Sequence, residues 1–171
     1  MAYTIGYGSP ADAGRLQEIE RVGGARFRSV GMAEIADHEP TSTEDLEAFA
    51  GLSQLLVARD ASASIAAFLI WSPKDGAAYI EEVASDPAHA GQRLGAKLID
   101  RLQDDVQGRH ARITLATFRD VPWNAPYYAR LGFVECAAAA LGPDHEAAWH
   151  DQAEFLDMSR RIFMAREVAV R

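Results

Sequence analysis

The sequence predicts an α/β domain with a mixed, mainly antiparallel sheet and helices on both faces. Three observations predict it. Strand-like runs at Leu52–Arg59, Ser62–Trp71 and Ala77–Ser85 follow one another through short turns, the pattern of an antiparallel meander. Strand, helix and strand then succeed each other from Ala77 to Phe118, which calls for a parallel crossover. Finally, 171 residues, about half of them apolar, make one domain over 1–171 with a core that needs no staples.

Taken in order, Tyr3–Tyr7 reads as a first strand. Ser9-Pro10 starts a helix: Ser9 can cap, Pro10 suits the first helical position, and Asp12 favours the N-terminal dipole. Leu16, Ile19 and Val22 mark its apolar side. Gly23-Gly24 is one plausible stop. The preferred reading carries the helix through both glycines, with Phe27 and Val30 extending the stripe, Gly23 on the buried face and Gly31 as the end. Met32–Ala36 reads as one further turn, and Asp37-His38-Glu39 as a solvated charge run.

Thr41-Ser42-Thr43-Glu44 is a capping-box pattern that opens a short helix through Leu46 and Phe49 to Gly51. The three meander strands follow, turning at Asp60-Ala61 and at Pro73-Lys74-Asp75-Gly76. A helix with Leu94, Leu98, Leu102, Ile99 and Val106 on one side ends at Gly108. Ala111–Phe118 is a strand with Ile113 and Leu115 on one face, Pro126–Leu131 a short helix, and Phe133–Ala140 another strand. Gly142-Pro143 breaks it. Asp144–Phe155 is a helix or loop, and Ile162–Ala165 the last strand.

Composition excludes several functions. A net charge of −8 argues against nonspecific nucleic-acid binding, which depends on Lys and Arg. No apolar run approaches the roughly eighteen residues of a membrane span. The N-terminus has no basic region followed by an apolar stretch, so a cytoplasmic protein with no membrane partner is expected. The single cysteine, Cys136, rules out an intrachain disulfide. It lies in an apolar run beside Glu135, which raises a thiol pKa, and reads as a small buried hydrophobe. The five histidines show no ligand spacing: His145 and His150 lack the i, i+4 separation, and no metal is expected.

Two segments carry chemistry. In Ala90-Gly91-Gln92-Arg93-Leu94-Gly95-Ala96, small residues join a strand to a helix. The first-turn N–H groups of such a helix have no internal partner and face an anion. The bland alternative is a turn that needs glycine only for backbone shape. No Gly-Lys-Ser/Thr follows, and G-x-G-x-x-G spacing is absent. His89 beside it either approaches a phosphate or is a solvated loop histidine. The second segment, Thr117 to Phe133, ends a strand, crosses an aromatic loop with Trp123 and Asn124, and offers Tyr127 and Tyr128 before Leu131-Gly132-Phe133.

Together, in this order and separation, the segments resemble the GNAT superfamily of acyl-CoA-dependent N-acyltransferases. The first resembles the family's pyrophosphate motif, Q/R-x-x-G-x-G/A, and the second its Asn…Tyr…Leu-Gly-Phe stretch. Ala90 stands where Gln or Arg is usual, and Arg93 where the first glycine is usual; Gly95 fits the last position. Arg93 then lies outward or over the phosphates, partly replacing the side chain missing at Ala90.

The resemblance implies a V-shaped cleft between the Ala77–Ser85 and Ala111–Phe118 strands that takes acetyl-CoA as co-substrate. Gly91, Gln92, Arg93, Leu94, Gly95 and Ala96 would hold the diphosphate. Val83 and Ser85 would bond the pantetheine arm, with Asn124 near it, and the Val83 N–H would polarise the thioester carbonyl. Tyr128 matches the family's general acid. Glu82 is preferred as base, acting through water; Glu81, on the opposite strand face, binds acceptor or faces solvent. Trp71, Glu81, Trp123 and Tyr127 are acceptor-side candidates, with core packing the competing role of each aromatic. The implied reaction is acetyl transfer to a primary amine by direct attack, the acceptor being a small amine or a protein N-terminus. A homodimer is possible on this resemblance. The rival reading is a non-catalytic acyl-CoA-binding sensor or interaction module.

Overall fold

The computed structural model describes residues 2–169. Seven strands form one sheet: β1 (Thr4–Tyr7), β2 (Leu55–Arg59), β3 (Ile65–Lys74), β4 (Ala77–Ser85), β5 (Arg112–Phe118), β6 (Val134–Cys136) and β7 (Arg161–Glu167), in the order β1-β2-β3-β4-β5-β7-β6. β1 with β2, β2 with β3, β5 with β7 and β6 with β7 are antiparallel. β4 and β5 are parallel, with Ala78, Tyr79 and Ile80 opposite Ile113, Thr114 and Leu115. The expected meander and parallel crossover are both present. The helices are α1 (Ala13–Gly24), α2 (Ala33–Ala36), α3 (Thr43–Gly51), α4 (Leu94–Val106), α5 (Ala125–Arg130) and α6 (Pro143–Ala153). The chain forms two compact units, residues 2–71 with Glu81–Leu102, and Ser72–Ile80 with residues 103–169.

In the first unit the core joins Ala13, Leu16 and Ile19 of α1 and Leu46 of α3 to Leu55, Val57, Ile65, Phe68 and Ile70 of β2 and β3. Leu55–Ala58 and Ile65–Trp71 are buried without alternation, as expected of strands covered on both faces. The helical run does pass the two glycines, but in a changed form. α1 ends at Gly24, and Ala25–Val30 continues as a 3-10 helix until Gly31, at φ 75°. Space is tight at Gly23: a Cβ there would stand 3.3 Å from the Ser85 carbonyl of β4. Val22 departs from the expected stripe at 41% exposure, and Ala13 takes its place.

The cap of α3 lies one residue later than the capping-box pattern placed it. Ser42 accepts the Asp45 N–H at 3.1 Å, and Asp45 receives the Ser42 hydroxyl. β2 begins at Leu55 rather than Leu52, because Ser53 takes a left-handed turn and Leu52 stays exposed. β3 starts at Ile65 rather than Ser62 and runs on to Lys74, so only Asp75 and Gly76 separate it from β4. Asp37, His38 and Glu39 are exposed, as a solvated run should be, and Asp37 pairs with Arg28.

The second unit corrects the Phe133–Ala140 strand. Only Val134–Cys136 pairs with β7, and Ala138–Ala140 turns as a 3-10 helix. A run of alanines has little side chain to pack on a pleated surface, and a turn here lets Leu141 reach the core with Tyr79 and Phe163. Residues from Pro143 form a helix, and the last strand is longer than expected and lies between β5 and β6. Cys136 is half-buried, and burial raises its thiol pKa, with Glu135 adding to the effect.

The foot of α6 is pinned by a buried polar chain that the sequence does not signal. Asp75 accepts the backbone N–H of His145 (2.9 Å) and of Asp144 (3.2 Å), and the His145 ring Nδ1 (2.7 Å). His145 Nε2 lies 2.8 Å from the Thr114 hydroxyl. A residue from a β-turn thus caps a helix whose own N-cap position is Gly142. Glycine is required there: its φ is 133°, and a Cβ would come within 2.5 Å of the Asp75 carboxyl carbon. Burial opposes the Asp75 charge, but the His145 ring and the two backbone donors outweigh it and hold the carboxyl below its ordinary pKa.

Candidate active site

Within the first unit, β4 leads into the glycine loop. Glu81 is exposed and Glu82 half-buried, as expected for neighbours on opposite strand faces; Val83 and Ser85 are half-buried. Trp71 is only 7% exposed, set in β3, where its N–H donates to the Gln54 carbonyl. After β4, Pro87–His89 makes one 3-10 turn, capped by Asp86 through its Oδ1 and the Ala88 N–H at 2.9 Å. The chain then reaches Gly91 at φ 78° and Arg93 at φ 55°. Lys97 donates its N–H to the Arg93 carbonyl, so α4 begins immediately after this left-handed pair.

Arg93 thus holds a backbone conformation that glycine adopts more readily than any other residue. A left-handed residue costs a side-chain-bearing amino acid about 1 kcal/mol, and glycine much less. Arg93 takes the left-handed conformation at that cost. Gly91 and Arg93 are exposed, while Leu94 and Ala96 are buried against the core and anchor the first turn of α4. A Cβ at Gly91 would meet nothing within 4 Å, so this glycine serves backbone shape. Leu94, Gly95 and Ala96 lie in the helix's first turn, where N–H groups have no intrahelical acceptor. A loop with this turn, exposed backbone and an arginine fits a diphosphate.

Ties from distant parts of the first unit hold the loop. Arg15 of α1 reaches Asp86 at 2.5 Å, and the Tyr3 hydroxyl meets His89 Nδ1 at 2.8 Å. His89 is therefore a bonded, half-buried histidine rather than a solvated one. Lys97 stands over the Tyr3 ring, 5.6 Å from its centroid. The Ala88 N–H and then Arg15 hold the Asp86 carboxyl below its usual pKa against desolvation. Arg15 and Tyr3 were not legible as site-supporting residues: a single arginine on a helix and a tyrosine in a first strand carry no motif.

Within the second unit, Val121 to Tyr128 follows β5. Asn124 Oδ1 accepts the Thr117 hydroxyl at 2.9 Å and the Phe118 N–H at 3.4 Å, so the amide is fixed against the end of β5. Thr117, 2% exposed, is a supporting residue that sequence reasoning places only on a strand. The backbone of Tyr128 accepts from both Leu131 and Phe133, which closes α5 at Gly132 (φ 87°). Its ring is half-buried, edge-on to Phe133 at 5.8 Å and to Tyr127 at 5.4 Å. Tyr127 carries the Arg130 guanidinium over its face, and Trp123 is half-buried. Among the described residues, no three His, Cys, Asp or Glu side chains are grouped to hold a metal ion. No helix there is long and apolar enough to cross a membrane.

Comparison with known proteins decides the family. The profile of the acetyltransferase (GNAT) family matches residues 25–133, more than half of the chain. The chain belongs to that family. Acetyl-CoA is accordingly its acyl donor. Solved structures share the fold. The ribosomal-protein-S18-alanine N-acetyltransferase from Escherichia coli superposes with a TM-score of 0.67 at 19% identity, over 99% of this chain and 96% of that one. Ard1 from Thermoplasma volcanium gives 0.67 at 20% identity, over 99% of both. The PaiA N-acetyltransferase from Thermoplasma acidophilum, in complex with coenzyme A, gives 0.71 at 16% identity, over 98% of this chain and 99% of that one.

Proposed function

We propose that this acetyltransferase moves the acetyl group of acetyl-CoA to a primary amine by direct attack, the acceptor being a small amine or a protein N-terminus. The observation that carries the reading is the left-handed pair Gly91 and Arg93 delivering the chain into α4, in a sequence of the acetyltransferase family. The first-turn N–H groups and Arg93 bind the diphosphate, and the loop glycine leaves its backbone approachable. The backbone of Val83 and Ser85 holds the pantetheine arm. Asn124, whose carbonyl oxygen is engaged by Thr117 and Phe118, offers its NH2 group to an amide of that arm.

Chemistry asks for a neutral amine, a polarised carbonyl and a proton for the leaving thiolate. Glu82 removes the ammonium proton through a water, so that the nitrogen lone pair is free to attack. The Val83 N–H stabilises charge on the thioester oxygen. As the C–S bond breaks, Tyr128 gives its phenolic proton to the sulfur, the surplus proton on the new amide nitrogen passes to solvent, and the phenolate is reprotonated from solvent; the half-buried Tyr128 ring packs edge-on to Phe133. Glu81, Trp123, Tyr127 and Trp71 are the acceptor-side candidates.

Thiol release from acetyl-CoA with a panel of amines and peptides tests this. Tyr128→Phe is expected to lower kcat about a hundredfold with CoA affinity retained. Binding without turnover on any amine would favour a non-catalytic acyl-CoA sensor. No CoA binding would sink both readings.

A further inference from the structure

We infer that Arg15, on the first turn of α1, is a positioning residue for the diphosphate loop. The inference rests on the reading of that loop as a CoA site. One guanidinium makes three bonds: Nε donates to the Ile65 carbonyl of β3 (3.1 Å), Nη1 to Glu18 (2.8 Å) and Nη2 to Asp86 Oδ2 (2.5 Å). Asp86 is the hinge post of the loop. Its N–H donates to the Ala66 carbonyl (2.8 Å), its carbonyl accepts the His89 N–H (2.9 Å), and its Oδ1 accepts the Ala88 N–H (2.9 Å). The carboxylate is divided: one oxygen shapes the turn, and the other is held by α1.

The consequence for the loop is geometric. Gly91 follows the Pro87–His89 turn by two residues, so rotation of Asp86 displaces the backbone amides that face the phosphates. An anion site made of N–H groups depends on where those groups point. The pair is partly shielded, with 28% and 16% of its side chains exposed, so water competes with it less than at an open surface. Arginine suits the position because its planar fork meets a strand carbonyl and a carboxylate together. A lysine offers three donors on one nitrogen, without the fixed fork that spans both acceptors.

Calorimetric titration of CoA into the wild type, Arg15→Ala, Arg15→Lys, Asp86→Asn and the Arg15→Ala/Asp86→Asn double variant tests the assignment, with kcat at saturating donor measured alongside. Arg15→Ala is expected to weaken CoA binding roughly tenfold and to move kcat less than about twofold. Arg15→Lys should recover part of the affinity, and the double variant should bind no more weakly than the weaker single one. Glu18→Gln, which leaves the Asp86 tie intact, should bind as the wild type does. If Arg15→Ala does not fold, Arg15→Lys and Asp86→Asn carry the same reading. Unchanged CoA affinity in Arg15→Ala or in both conservative variants, or additive losses in the double variant, overturns this inference alone. Absence of CoA binding by the wild type overturns the diphosphate reading and the inference with it.

Discussion

At the loop after β4, Arg15 and Asp86 meet with 28% and 16% of their side chains exposed; at the foot of α6, His145 and Asp75 meet with 1% and 10% exposed. Both pairs bring an acid from the end of a β-structure to a base on a helix, and both acids also cap a turn through backbone N–H groups. They differ in what surrounds them. Tyr79 and Phe163 stand edge-on to the His145 ring at 5.5 and 5.6 Å, and Thr114 meets its second nitrogen. The Arg15 pair is partly open to solvent. A sealed pair makes a joint that opens only with its whole neighbourhood. A wetted pair trims the position of a loop that must receive a ligand.

The largest effect should come from opening the sealed joint. His145→Ala leaves a cavity and strips the Asp75 and Thr114 side chains of a partner, a loss of roughly 3 kcal/mol. For a chain of this size that corresponds to a melting temperature lower by about 9 °C. A loss within about 1 °C in calorimetry would show that the joint contributes little.

Acid should act on both pairs. The Asp75 and Asp86 carboxyls are held below their ordinary pKa, by hydrogen bonds from His145 and Asp144 in one case and from Ala88 and Arg15 in the other. A carboxyl whose folded pKa is depressed adds stability above its unfolded pKa, near 4, and that contribution is lost as pH falls through the folded pKa. Melting temperature should therefore fall below about pH 4, and the fall should be shallower in Asp86→Asn. An unchanged acid slope in that variant would remove Asp86 from the account.

The smallest effect sharpens the role of the loop. Arg93→Gly removes a side chain from a left-handed position and should raise stability by about 1 kcal/mol. The same change should weaken CoA binding several-fold at low salt, and less at high salt, as expected for a lost contact to phosphate. Equal affinities at both salt concentrations would make Arg93 a bystander.

Much of the fold was legible because it is written in local runs. The boundaries of β4 and the apolar stripe of α4 from Leu94 to Val106 follow from residues near one another in sequence. The 3-10 continuation beyond Gly24 was half legible: helical turns run on to Gly31, but Phe27 and Val30 are only half-buried and the change of helix type did not show. The alanines at 137–140 misled because they read equally as strand or turn until Leu141 has a core to enter. On the candidate site, the glycine loop stood out as a strand-to-helix turn, and Asn124 and Tyr128 through the resemblance to the family's Asn…Tyr…Leu-Gly-Phe stretch. Arg15, Tyr3 and Thr117 did not, since each is defined by a partner brought in from another element; Arg15 and Asp86 are 71 residues apart in the chain.

Gly142 bears on how this protein can be altered. A side chain at that position would occupy the space of the Asp75 carboxyl group. The segment from β6 to β7 and the two-residue turn between β3 and β4 are therefore a matched set. An exchange of the α6 segment for that of a relative would transplant cleanly only if its entry residue is also a glycine, or if the turn is moved with it. Residues 75 and 142 are best treated as one unit of inheritance, whatever sequence is chosen for the rest of the segment.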